Sequence, residues 1–93
     1  MATYVVLFNW TEQGIKSYKD SPGRVEAATK QWEGSGIRIK DIYWTLGAYD
    51  LVGLVEAPDE AKLTSALLAL GAQGNVRTTT LRAFGQEEFA GLI

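Results

Sequence analysis

Apolar positions recur along this chain with two different spacings, and each change of spacing marks a new element. The first block, Thr3 to Trp10, is β-branched and aromatic. It is apolar on both faces, with Tyr4, Val6 and Phe8 on one and Val5 and Leu7 on the other. That pattern predicts an interior strand covered on both sides. Thr11-Glu12-Gln13-Gly14 breaks it, and Lys16 to Asp20 is polar, as in a short helical turn or an ordered loop. Ser21-Pro22 reads as a helix start, with serine as the cap and proline at the first helical position. Val25, Ala28 and Trp32 follow at helical spacing, and Gly34-Ser35-Gly36 should end the helix. A second strand is expected from about Ile37 to Leu46. Its alternation changes phase between Ile39 and Ile42, which a bulge near Lys40-Asp41 or a shorter strand would explain.

Gly47-Ala48 reads as a tight hairpin connection, with Gly47 supplying a positive φ. The third strand then runs from Tyr49 to Glu56. Ala57-Pro58-Asp59-Glu60 opens a second helix, on which Leu63, Ala66, Leu67 and Leu70 form one apolar stripe. The last strand is expected over Asn75 to Phe84, followed by a tail, Gln86 to Ile93, with room for a helical turn. The order βαββαβ predicts an α+β, ferredoxin-like domain over residues 1–93. It has a four-stranded antiparallel sheet with both helices on one face and the first and third strands central.

Two helices cover only one face of such a sheet, yet neither the first strand nor Leu51 to Val55 alternates. Each large apolar side chain left wet forgoes roughly 1.5–3 kcal/mol, and a few of them amount to the whole stability of a small domain. A second copy of the chain packed on the helix-free face resolves the conflict, giving a homodimer or higher homo-oligomer. The competing expectation is a monomer whose tail, Phe89 to Ile93, folds over that face.

Composition narrows the chemistry. Hydrophobic residues make up 46% and charged residues 22%, as in a folded globular protein. Nine basic residues against eleven acidic ones give a net charge of −2, which argues against a nucleic-acid surface and a polybasic membrane patch. The Gly-Phe-Gly-Phe-type segment of RNA-binding sheets is also missing. The chain has no cysteine and no histidine. Disulfides, a thiol nucleophile, thiolate zinc sites and the commonest general base are therefore excluded. Glu12, Asp50 and Glu56 lack metal-ligand spacing and no glycine-rich phosphate loop opens a helix, so no metal or cofactor is expected. With no membrane-length apolar run and no signal-peptide pattern, the expected location is cytoplasmic.

Three segments together resemble the GYD domain family: Trp10-Thr11-Glu12-Gln13-Gly14-Ile15, Tyr43 to Val52 (containing Gly47-Ala48-Tyr49-Asp50), and Leu70-Gly71-Ala72-Gln73-Gly74-Asn75-Val76-Arg77-Thr78. The resemblance covers essentially the whole chain. It implies a dimeric α+β barrel and fixes no activity. Relatives in that superfamily include small monooxygenases, isomerases, haem-degrading enzymes and ligand-sensing domains, commonly with a pocket between sheet and helices.

With a Gly47-Ala48 hairpin, Thr45 faces Asp50 and Trp44 faces Leu51, and Gly53 would leave room for the Trp44 indole. Asp50, a carboxylate at the start of an apolar strand, is the candidate proton acceptor, and Tyr49 is a candidate hydrogen-bond donor that orients the substrate. The alternative is that Asp50 takes hydrogen bonds from Thr45 or turn amides and holds the hairpin in register. Asn9, Trp10, Tyr43 and Trp44 are the candidate ligand-binding residues. Asn9 could orient a carbonyl or cap the following turn, and Trp10, Trp32 and Trp44 could wall a cavity for a flat substrate or simply fill the core. Arg77 could bind an anion, or pair with a nearby acid. The function expected is small-ligand binding by an oligomer in a sheet–helix pocket. A cofactor-independent oxygenase or isomerase acting on a small aromatic or lactone-like substrate is one alternative, and a non-enzymatic assembly module is the other.

Overall fold

β1 (Ala2–Trp10) runs through the middle of a four-stranded sheet, antiparallel to β3 (Leu51–Ala57) on one side and β4 (Val76–Ala83) on the other. β2 (Arg38–Trp44) pairs with β3 at one edge, giving the order β2-β3-β1-β4. The computed structural model describes residues 1–93. The helical elements are α1 (Glu12–Lys16), a 3-10 turn (Tyr18–Asp20) running into α2 (Ser21–Glu33), α3 (Glu60–Ala72) and α4 (Gln86–Ala90). None is long and apolar enough to cross a membrane.

The two most apolar strands are central, as their patterns require. Tyr4, Val6 and Phe8 of β1 and Leu51, Val55 and Ala57 of β3 are buried against Trp32 of α2 and Leu63 of α3. Leu67 and Leu70 of α3 pack against this core and are partly buried, so the predicted stripe is the face that docks. Asp59 caps α3 by accepting the Lys62 amide at 2.8 Å. The register of β2 shifts between Ile39 and Asp41. This is the bulge that the change of phase implied, and it keeps Ile39, Ile42 and Trp44 all on the helix side.

Three local expectations are corrected. Ser21 does not cap α2: its φ of −56° and ψ of −46° are helical, because the 3-10 turn feeds straight into the helix. The β2–β3 connection is not a two-residue hairpin but spans residues 45–50, with Gly47 at φ +109° and Leu46 wholly exposed. The loop is tied to β1, whose Phe8 carbonyl takes the Asp50 amide at 2.8 Å, while the Asp50 carbonyl takes the Thr45 amide at 2.9 Å. Asp50 is thereby fixed to the neighbouring strand and the loop closes behind it. Finally, the space beside Gly53 is filled by Phe8, whose Cε1 lies 3.3 Å from where a Cβ would sit. The Trp44 indole goes elsewhere.

The helix-free face carries Val5, Leu7, Val52 and Leu54 at its centre, all half-buried, with Leu81 on β4 and Tyr43 on β2 beside them. Tyr43 and Leu81 are 60% and 49% exposed. The tail does not bury itself on this face, since Phe89, Leu92 and Ile93 all remain exposed. It is tied instead to Arg82, opposite Tyr4 on the helix side of β4, whose guanidinium meets Glu88 at 3.2 Å and lies over the Phe84 ring.

Candidate functional site

β1 leaves the sheet at Trp10, and three segments close around that exit. Thr11 caps α1 by accepting the Gly14 amide, and its own amide donates to the Asn75 carbonyl at 3.0 Å. Its hydroxyl donates to the Gly74 carbonyl at 2.5 Å. Gln13 Nε2 donates to the Gln73 carbonyl at 3.1 Å and to Asn75 Oδ1 at 3.0 Å. Gly14 is buried against this turn, where only a glycine leaves room for the Asn75 carbonyl. Arg24 of α2 finishes the corner by donating to the carbonyls of Ser17 and Gly14.

On the other side of the exit lies the 45–50 loop. The Trp10 amide donates to Asp50 Oδ2 at 2.8 Å, and Asn9 Nδ2 donates to the Ala48 carbonyl at 2.7 Å. The Thr45 hydroxyl donates to the Tyr49 carbonyl within the loop. Asp50 therefore spends one carboxylate oxygen on the backbone amide at the end of β1, a charge-assisted bond. Its partner is an amide of β1, not Thr45 or the turn of its own loop.

Beneath α2 a half-open cleft of about 40 Å³ lies against the helix side of the sheet. Phe8, Trp10 and Trp32 give it aromatic walls, and Val25, Ile42 and Leu51 stand among the aliphatic ones. Its polar lining is limited to Ser21, Arg24, Gln73 and Asn75. Ser21 Oγ accepts the indole N–H of Trp44 at 3.0 Å, which pins the end of β2 to the start of α2. Trp10 Nε1 is buried and has no hydrogen-bond partner.

The six candidate residues thus separate. Trp10 lines the cleft. Asn9 and Asp50 brace the loop that flanks it, and Tyr49 contributes a carbonyl to that loop. Trp44 lies on the helix side and is tied to Ser21, whereas Tyr43 projects from the opposite face of the sheet. Ser21, Arg24, Gln73 and Asn75 were not singled out as site residues. Ser21 looked like a cap, and residues of separate elements show no spacing that would link them.

The GYD domain family model matches residues 4–93. The chain belongs to the GYD domain family. It is 37% identical over 84 residues, 89% of this chain and 88% of the other, to a Thermus thermophilus protein called glutamine synthetase and cystathionine beta-lyase binding protein. The crystal structure of TTHA0845, also from Thermus thermophilus, superposes with a TM-score of 0.56 at 29% identity, covering 91% of this chain and 95% of that one. MtbAldR superposes with a TM-score of 0.62 at 21% identity, covering 91% of this chain and 52% of that chain, and shares the fold. In this GYD domain the three segments that carry the family resemblance are far apart in sequence and meet at one end of the sheet. Their hydrogen bonds to one another form the rim beside the cleft.

Proposed function

We propose that this GYD protein is a binding module with no chemistry of its own. It works as a homo-oligomer and holds a small apolar ligand between sheet and α2. The observation that carries the reading is the cleft itself: aromatic on its inner walls, apolar nearly throughout, and placed where the family segments converge. Nothing on its lining is a carboxylate, and Asp50 is occupied with the Trp10 amide beside it. A role in framing the site suits Asp50 better than proton transfer.

Self-association rests on the opposite face. Val5, Leu7, Val52 and Leu54 occupy the two central strands there, and neither helix nor tail covers them. A second copy presenting the same face matches them apolar to apolar, in the isologous arrangement that a two-fold axis produces. The name of the Thermus thermophilus relative favours one addition, that such modules also dock on enzymes. The exposed tail residues Phe89, Leu92 and Ile93 supply apolar surface for it.

Native mass spectrometry of the purified protein tests the reading directly. The expected species is a multiple of the subunit mass, with a small organic molecule retained per subunit. A bare monomer at micromolar concentration overturns it.

A further inference from the structure

We infer that two copies of the helix-free face are held in register by reciprocal ion pairs, Asp41 of each copy with Arg77 of the other. The inference rests on the self-association proposed above and adds which residues decide how the copies meet. The strand register lays the face out as a grid. One row across the sheet is Asp41, Leu54, Val5 and Leu81. The next is Tyr43, Val52, Leu7 and Thr79, with Asn9 and Arg77 beyond it. Apolar side chains fill the middle, and charge is confined to the margins. Arg38 and Glu56, at one end, pair with each other at 3.8 Å. Lys40 is extruded by the bulge and has no partner in the register. Asp41 on the β2 edge and Arg77 on the β4 edge, towards the other end, are both exposed, and neither has an ion-pair partner in its own chain.

An acid and a base at opposite margins of one face complement each other under a two-fold axis, which repeats every contact with the copies exchanged. The direction of the axis decides whether they meet. An axis along the strands sets Asp41 on the second copy's Leu81. An axis across the strands sets Arg77 on the second copy's Ala83. Neither neutralises both charges. An axis at about 45° to the strands crosses the two sheets at about 90° and has two settings. One places Asp41 beside the second copy's Asp41, like charge against like. The other brings Asp41 within about one strand spacing of the second copy's Arg77, and lays Val5 on Val5, Val52 on Val52 and Leu7 on Leu54. Only this last setting keeps the centre apolar and pairs both margins. Rim pairs of this kind add little affinity each, but they penalise every arrangement that brings like charges together.

A charge-swap cycle followed by sedimentation equilibrium tests the pairs. Both residues are exposed, so the variants should keep the fold, which circular dichroism checks. Each pair occurs twice per dimer. Asp41→Arg and Arg77→Asp each replace two attractions by two repulsions and should weaken association about thirtyfold. The double variant carrying both restores opposite charges and should associate within about threefold of wild type. If a reversal fails to fold, Asp41→Asn and Arg77→Gln take its place, each weakening association about fivefold and no further in combination. Single variants that associate like wild type, or a double variant as weak as the two losses combined, overturn the pairing and leave the dimer of this face standing. Wild-type protein that stays monomeric at micromolar concentration overturns the self-association reading itself, and the pairing with it.

Discussion

Replacing Gly14 by alanine asks whether the 11–17 and 73–76 turns are held together backbone to backbone. An added Cβ would stand 2.0 Å from the Asn75 carbonyl oxygen, 2.9 Å from its carbonyl carbon and 3.1 Å from its Cα. All three are main-chain atoms, so no change of rotamer relieves the clash. The turns must separate by about 1.5 Å to restore ordinary contact distances. That stretches the Thr11 amide to Asn75, the Thr11 hydroxyl to Gly74, and both Gln13 bonds to Gln73 and Asn75. At about 1 kcal/mol per neutral hydrogen bond, losing three of these four removes about 3 kcal/mol. Gly14 lies inside α1, so alanine returns at most about 1 kcal/mol of helix propensity. The net destabilisation is therefore about 2 kcal/mol. Urea unfolding at one fixed protein concentration measures it, because any self-association makes the midpoint concentration-dependent. Gly23→Ala is the internal control: Gly23 lies in α2 with nothing within 4 Å of the added Cβ, and alanine there should stabilise by about 0.5–1 kcal/mol. If Gly14→Ala raises the midpoint alongside Gly23→Ala, the two turns are not in the contact described and the rim of the site is drawn wrongly.

Other perturbations probe the remaining contacts. Asp50→Ala leaves the half-buried Trp10 amide without its acceptor and should cost about 1–3 kcal/mol in urea unfolding. Asp50→Asn retains an oxygen for that amide and should lose less than half as much, so equal losses would show that the bond is not what Asp50 supplies. Leu54→Asp, at the centre of the helix-free face, should yield monomers in sedimentation velocity while circular dichroism stays native. An unchanged oligomer would place the interface elsewhere. Trp44→Phe keeps an aromatic ring but removes the bond to Ser21 and part of the indole's buried area, for an expected loss of about 1–2 kcal/mol in urea unfolding. The Glu88 carboxyl is held below the ordinary glutamate value by the Arg82 guanidinium and then by the Gly85 amide. Because its folded-state value is depressed, the tail contact is present above the ordinary glutamate range and fades as pH falls through the lowered value. Carboxyl NMR should show this titration moving back up in Arg82→Gln, and no movement would sever Glu88 from Arg82.

Much of the fold was legible because period and polarity act locally. Tyr4, Val6 and Phe8 alternate with Val5 and Leu7 whatever surrounds them, and the non-alternating pattern of β1 and β3 marks both as central. The phase change after Ile39 pointed to a bulge or a shorter strand, and the structure has the bulge, whose extra residue keeps Ile42 and Trp44 on the core side. The loop at residues 45–50 was misread for the opposite reason. Its shape goes with contacts from β1, far away in sequence: the Phe8 carbonyl takes the Asp50 amide and Asn9 donates to the Ala48 carbonyl. Ser21-Pro22 carried a correct signal for the start of a helix and a wrong one for the cap, because a preceding 3-10 turn is invisible to a rule that reads only the serine and proline.

The sequence by itself determined the element order and which strands lie innermost, since both follow from side-chain types at fixed short spacings, and the resemblance of three separated segments pointed to the family. It also removed thiol and imidazole chemistry by composition alone. Only the tertiary structure decided which candidates share a site. Trp10 meets Arg24, Trp32 and Asn75 around one cleft, while Tyr43 lies across the sheet from them. The tertiary structure also left one indole N–H buried and unpaired. The reason is physical: a hydrogen-bond donor is satisfied or orphaned by whatever folds against it from other parts of the chain, and no local spacing encodes that.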